Sequence, residues 1–271
     1  MNNSYFLKNI KAIMIDIDGT LLAGSTPLPA MNSFLSFLQS NGIPFLILTN
    51  NSTLSPQAYI QKMREHGVIL GEKNILTCST VAANYMHTNL DGHAVYVIGE
   101  SGLEEALLAE GYHLISDVSK PVDFVVVGGD HYLTYDKLKY GCLHLQTGAH
   151  FIGTNPDVVS PSEEGLIPEC GTNIAALEAA SGRKATVIGK PNPLMFLRGL
   201  EVLGSQPSET IMLGDRLETD IIGGQQAGLK TILIETGVDK QESITDKGIT
   251  PDLVVKNLAV LLDLWKNAIS P

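Results

Sequence analysis

Ile13-Met14-Ile15-Asp16-Ile17-Asp18-Gly19-Thr20-Leu21-Leu22 is the stretch on which the reading of this 271-residue chain turns. An apolar run that opens at Ala12 reads as a buried parallel strand, and it stops in two aspartates, a glycine and a threonine. In an open α/β sheet the carboxyl ends of parallel strands face a ligand crevice, so the acids stand where they can be used. Side chains alternate along a strand, which puts Asp16 and Asp18 on one face. At an effective dielectric near 20, two unit charges about 4 Å apart repel by about 4 kcal/mol, so the pair calls for a cation, a proton or water. The same residues also read as a strand ending in a plain Asp-Gly-Thr turn, with glycine supplying a positive φ. The rest of the chain has to decide between the two.

Working outward, residues 23–29 form a polar loop rich in Gly and Pro, and 31–39 carry Phe34, Leu35 and Leu38 at helical spacing. A second apolar run over 43–48 ends in Thr49-Asn50-Asn51-Ser52. The stretch 56–65 then lines up Tyr59, Ile60 and Met63 on one helical stripe, which Gly67 stops. From 81 to 183 the pattern changes. Strands are expected at 94–98, 124–127 and 151–153, and helices at 103–109, 135–146 and 173–180, enough for a domain of its own. The first pattern returns at 185–188, read as a strand ending in Gly189-Lys190-Pro191, with a helix to 203. It continues at 210–213, ending in Gly214-Asp215-Arg216, with a helix over 219–227; strands at 230–234 and 253–255 and a helix over 258–265 complete it. Short buried strands alternating with helices predict an α/β fold: a doubly wound parallel sheet built from 1–80 and 184–271, split by a smaller α/β domain over 81–183.

Composition narrows the class. Hydrophobic residues make up 44% and charged residues 17%, ordinary for a globular protein and unlike a disordered chain. The net charge of −11, with no basic run, argues against a nucleic-acid partner, which would need phosphates neutralised. Cys78, Cys142 and Cys170 are odd in number and far apart, a pattern of reduced compartments. No secretory leader is visible, and the most apolar stretches, 124–127 and 259–262, are too short to span a bilayer. The expectation is a soluble cytoplasmic protein with no membrane partner. The oligomeric state is left open, a homodimer included.

Four expected strand ends of the outer sheet therefore carry Asp16 and Asp18, Thr49 and Asn50, Lys190, and Asp215. Each has a bland role by itself: Thr49 and Asn50 as helix caps, Lys190 as a solvated turn lysine, Asp215 as a turn former, Asp220 as a first-turn acid facing a helix dipole. Together, at successive ends of one parallel sheet, they assemble carboxylates, an ammonium, a hydroxyl and backbone N–H groups near helix starts. That mixture suits a phosphate dianion and a divalent cation.

In that order, Asp-x-Asp-Gly-Thr at 16–20, Thr-Asn-Asn-Ser at 49–52, Gly-Lys-Pro at 189–191 and Gly-Asp-x-x-x-Thr-Asp at 214–220 resemble the four motifs of the haloacid dehalogenase superfamily of phosphohydrolases. An insertion between the second and third motifs resembles the class IIA capped branch, with its NagD-type and p-nitrophenylphosphatase-type enzymes. The likeness runs from 10 to 255 and includes Thr154-Asn155-Pro156-Asp157 and Gly171-Thr172-Asn173. It implies a Rossmannoid core with an inserted cap domain, and a Mg2+-dependent phosphatase acting on a small phosphorylated metabolite (a sugar phosphate, a nucleotide or similar) and on p-nitrophenyl phosphate in vitro. By the resemblance Asp16 is the nucleophile that forms an aspartyl-phosphate, and Asp18 is the acid and base. Thr49, Asn50 and Lys190 bind the phosphoryl group. The metal is held by the Asp16 carboxylate, the Asp18 main-chain carbonyl and the Asp215 carboxylate, with Asp220 supporting the metal shell. Cap residues Asn155, Asp157, Val158, Val159 and Ser160 would select the leaving group.

Two rivals follow from the same residues. A haloacid dehalogenase-type hydrolase would keep the nucleophile but leave Asp18 without an alkoxide to protonate. A phospho-acceptor signalling module also sets Asp, Thr and Lys at strand ends, but has no need of a large insertion. A dinucleotide-binding domain fits less well, because no Gly-x-Gly-x-x-Gly follows any expected strand.

Overall fold

In the computed structural model, which describes residues 3–162 and 164–269, the chain divides into two compact units. One takes residues up to 49, 60–76 and 190 onward; the other takes 50–59 and 77–189.

The first unit is built on a six-stranded sheet whose order is Leu253–Val255, Lys230–Ile234, Thr210–Gly214, Ala12–Ile15, Phe45–Thr49, Ile75–Thr77. Numbered along the chain and read from the opposite edge, that order is 3-2-1-4-5-6, the doubly wound arrangement in which ligands gather where the winding reverses. The reversal lies between Ala12–Ile15 and Thr210–Gly214, which pair in parallel with Ile15 opposite Leu213. Ala12–Ile15 is buried at every position, as a strand flanked on both edges and covered on both faces must be. Helices at Met31–Ser40 and Leu258–Ile269 bury Phe34, Phe37 and Trp265 as one aromatic cluster, with ring centroids 6.2 Å apart in each pair with Trp265.

The second unit carries a five-stranded sheet in the order Thr186–Val187, His150–Gly153, Phe124–Val127, Ala94–Ile98, His113–Leu114, all pairs parallel. Ile98, Val125, Val127, Leu145, Phe151 and Leu177 form its core. The strand expected at 185–188 as part of the outer sheet is therefore corrected. Thr186–Val187 pairs with His150–Gly153 after the crossover helix Cys170–Ser181, and a strand, helix and parallel strand in succession close naturally within one sheet. Lys190 is consequently delivered by the connection from this edge strand to the helix Pro193–Leu203, not by a strand of the first sheet.

Several elements had no sequence signal strong enough to read, among them the strand His113–Leu114 and the helix Gln241–Lys247. Ile75–Thr77 is a sixth strand of three residues, too short for a period to show. The helix Cys78–Asn89 follows it at once, started by a reciprocal cap in which Thr77 Oγ1 accepts from Thr80 N and Thr80 Oγ1 from Thr77 N, both at 3.2 Å. The loop expected after Leu22 contains a small hairpin, Leu22–Ala23 against Thr26–Pro27, and Val159–Ser162 pairs with Gly165–Pro168 as a second hairpin. Among the described residues no helix is long and apolar enough to cross a membrane.

Candidate active site

In the first unit, Asp16 follows Ile15 directly and continues the ladder, its N–H donating to the Leu213 carbonyl at 2.9 Å. Thr49 ends the neighbouring strand on one side, and Asp215 follows Gly214 on the other. The register of three parallel strands thus brings residues some 200 positions apart in sequence to one sheet edge. Asp16, Asp215 and Asp220 are buried, and each offers a carboxylate oxygen within 4.8 Å of the others.

Lys190 joins them. Its ammonium donates to Asp16 Oδ1 at 2.5 Å, to Asp220 Oδ1 at 2.7 Å and to the Leu48 carbonyl at 3.1 Å, and the residue is only 2% exposed. Burial works against its charge, but Asp16 and Asp220 outweigh that and raise its pKa, so it stays protonated at any working pH. Burial pushes the Asp16 carboxyl well up; Lys190 opposes this, and Asp220, Asp215 and Asp18 add to it. Asp215 is pushed up to about 7, first by burial and then by Asp220. The carboxyl of Asp18 is also raised by the protein packed around it, even though the residue as a whole stays open to solvent.

The connection after Thr210–Gly214 does not open as an ordinary helix. Leu217–Ile221 is a π turn and the α-helix proper is Ile222–Gln226, a later start than the expected 219–227. The wider turn folds Asp220 back under the strand end, where its Oδ2 accepts from Arg216 N at 3.1 Å. A Cβ on Gly214 would lie 2.3 Å from the Asp220 carboxyl carbon. Asp215 is cradled in the same way. Its Oδ2 accepts from Val238 N at 2.6 Å, and a Cβ on Gly237 or Gly19 would approach that oxygen to 1.9 or 2.4 Å. Gly19 also has φ +84°, which the tight turn after Asp18 requires. Asp239 carries no motif in the sequence, yet its buried carboxylate accepts from Leu217 N at 2.8 Å and fixes the start of the π turn.

With all three ionised, the buried carboxylates would face one buried ammonium, a deficit of two positive charges in a medium that tolerates little net charge. Hard oxygen donors, a close-set cradle and that deficit all fit a divalent cation such as Mg2+.

The second unit holds the remaining expected residues. Asn50, next to Thr49 in the chain, donates its amide to Asp157 Oδ2 at 3.0 Å. Asn155 is fully buried; its amide donates to the Asn50 carbonyl at 2.7 Å, and its Oδ1 accepts from Asp157 N at 3.0 Å. Cys78 Sγ donates to the same Asn50 carbonyl at 2.9 Å. Asn155 is thus spent on holding the main chain at Asn50. Val158 and Val159 are exposed, and Ser160 is half-buried at the root of the Val159–Ser162 hairpin arm. Burial raises the Cys78 thiol and pushes the Cys170 thiol up to about 12, so both are small buried donors with little thiolate character.

A family model described as haloacid dehalogenase-like hydrolase matches residues 13–113, and a second, HAD-hydrolase-like, matches 187–261. The acid sugar phosphatase of Staphylococcus aureus is 37% identical over 252 residues, spanning 93% of this chain and 96% of that protein. The chain belongs to the haloacid dehalogenase-like hydrolases. Within them this hydrolase is NagD-like. NagD from E. coli K-12 is 31% identical with a TM-score of 0.85 over 92% of this chain and 97% of that one. A 4-nitrophenylphosphatase from Thermotoga maritima is 36% identical with a TM-score of 0.89, over 95% of this chain and 98% of that one. The Rossmannoid core and the inserted α/β segment of this hydrolase are those of its branch.

Proposed function

We propose that this NagD-like hydrolase is a cytoplasmic, Mg2+-dependent phosphatase that removes phosphate from small phosphomonoesters, sugar phosphates first among them, through an aspartyl-phosphate on Asp16. The observation that carries the reading is the set of three buried carboxylates and one buried lysine at the reversal point of the sheet. The name of the Staphylococcus aureus relative supports the sugar phosphate, and the structural likeness to 4-nitrophenylphosphatase supports p-nitrophenyl phosphate as a laboratory substrate.

In this reading Asp16 attacks phosphorus with one carboxylate oxygen, and the bond to the leaving oxygen breaks as the new one forms. Asp18 gives the departing oxygen its proton, then takes one from the water that attacks the aspartyl-phosphate, so each turnover returns both acids to their starting state. Lys190 offsets the charge gathered on the transferring group and on Asp16, and Thr49 and Asn50 hold its oxygens. The Asp16 and Asp215 carboxylates and the Asp18 main-chain carbonyl would hold the cation. Asp220, whose two oxygens accept from Lys190 and from Arg216 N, would steady them. When bound, Mg2+ supplies Lewis-acid polarisation of the phosphoryl oxygens and neutralises the acid cluster. The inserted segment 81–183 would act as the cap. Asn155 would set the position of Asn50 and Asp157, and Val158, Val159 and Ser160 would meet the leaving group.

Phosphate release from p-nitrophenyl phosphate and from a panel of sugar phosphates, with and without EDTA, tests the proposal. Turnover should stop in EDTA and return with magnesium. Asp16→Asn should lose more than about a thousandfold of kcat while keeping its far-UV spectrum. Full metal-independent activity in Asp16→Asn would overturn the proposal, and halide release from haloacids without phosphate release would favour the dehalogenase.

A further inference from the structure

The loop that carries Asp18 is anchored by the buried side chains of Leu21 and Leu22 and by two side-chain hydrogen bonds. At its root, Thr236 Oγ1 donates to the Gly19 carbonyl at 2.6 Å. At its tip, the Lys62 ammonium donates to the Gly24 carbonyl at 3.0 Å. Between these points the chain folds back on itself. Gly19 N donates to the Leu22 carbonyl at 2.7 Å, and Leu21 N and Leu22 N donate to the Ile17 carbonyl at 2.8 and 2.9 Å. The hairpin Leu22–Ala23 with Thr26–Pro27 closes the loop. Its turn is exposed, and Gly24 has φ +59° with no neighbouring atom within 4 Å of an added Cβ. The side chain of Lys62, half-buried on the helix Pro56–Glu65, therefore reaches a turn with little other packing. Neither Lys62 nor Gly24 lies in the four motifs.

We propose that Lys62 is a positioning residue for the reaction: by pinning the tip of the 22–27 hairpin it fixes where the Asp18 carboxyl meets the departing oxygen. The proposal rests on the reading that Asp18 protonates the leaving group. A single charge-assisted bond at a half-open site contributes only modestly to stability. Proton transfer is more demanding, since the acid must come within about 3 Å of its target, and a misplacement of about 1 Å can cost up to a hundredfold in rate. Loss of Lys62 should therefore show where the proton matters and stay almost silent where it does not.

Phenyl phosphate and p-nitrophenyl phosphate separate those cases. They are close in shape, but the nitro group stabilises the departing phenolate and makes its protonation nearly unnecessary. Lys62→Met should lower kcat for phenyl phosphate about tenfold and for p-nitrophenyl phosphate less than about threefold, with KM for each within about twofold of wild type, and Lys62→Arg should restore most of the loss. An equal fall for both esters, no fall for either, or no rescue by arginine would overturn the proposal. Should Lys62→Met not fold, the same comparison is made with Lys62→Gln and Lys62→Arg. Asp18→Asn in parallel keeps the two readings apart. If wild type hydrolyses both esters and Asp18→Asn slows phenyl phosphate far more than its nitro analogue, the acid role stands and the lysine variants judge this proposal alone. If wild type hydrolyses neither ester, or Asp18→Asn slows both equally, the proposed function or its acid step has failed and the role given to Lys62 falls with it.

Discussion

At the scale of single residues the site is governed by one lysine set among three acids. Removing one partner of a buried ion pair leaves the other charges without compensation, so Lys190→Met should cost about 3–5 kcal/mol of stability at pH 8 in metal-free buffer, read by chemical denaturation. The cost should shrink at pH 5.5, because Asp215, raised to about 7, then carries a proton in the folded protein. The sign follows from linkage. A carboxyl whose folded pKa lies above the unfolded value near 3.8 contributes stability that is fully present below about pH 4 and lost as pH rises through about 7. Metal-free protein should therefore lose this contribution across that window, and saturating magnesium should raise Tm more at pH 8 than at pH 5.5. For each proton that Mg2+ displaces, the apparent Kd should rise about tenfold per pH unit below 7, and calorimetric titration in two buffers of different ionisation heat counts those protons. A Kd that does not move with pH would separate the metal from Asp215.

At the scale of elements, short and irregular pieces place the chemistry, and regular ones only carry it. The strand Thr210–Gly214 brings Asp215 to the edge, but the π turn Leu217–Ile221 and the loop at 236–239 set its direction. Gly237→Ala puts a methyl group 1.9 Å from Asp215 Oδ2, which the carboxylate can relieve only by turning away. We expect magnesium affinity to fall at least about tenfold, or about 1.4 kcal/mol, with little change in far-UV circular dichroism. Wild-type affinity in this variant would show that the cradle is not needed. These pieces were also the ones hardest to read in the sequence. A three-residue strand such as Ile75–Thr77 has no measurable period, a two-residue hairpin ladder looks like any Gly-Pro loop, and a π turn has no composition of its own. The helix Tyr135–Gln146 and the strand Phe124–Val127 were legible to the residue, because an amphipathic stripe or a buried apolar run bounded by turn residues states its length directly.

At the scale of the whole molecule each unit has its own sheet and core, so a ligand held at one sheet edge should be felt mainly in the unit that owns it. Hydrogen exchange with and without magnesium should show added protection at 16–20, 214–221 and 237–239, with the strands Ala94–Ile98, Phe124–Val127 and His150–Gly153 little changed. Equal protection of those strands would deny the cation a local site. The sequence by itself determined the fold class and the family and singled out the groups proposed to react, because buried parallel strands must be apolar and the acids that break such runs are conspicuous. Tertiary structure decided which sheet owns a given strand. Ala-Thr-Val-Ile at 185–188 suits either sheet, and only pairing with His150–Gly153 assigns it to the second. Tertiary structure also showed Asn155 spent on the Asn50 main chain, and gave Asp239, Thr236 and Lys62 their contacts around the site. The reason is physical: a strand's burial is written in its own residues, whereas a hydrogen bond across tens or hundreds of positions exists only once the backbone has brought its two ends together.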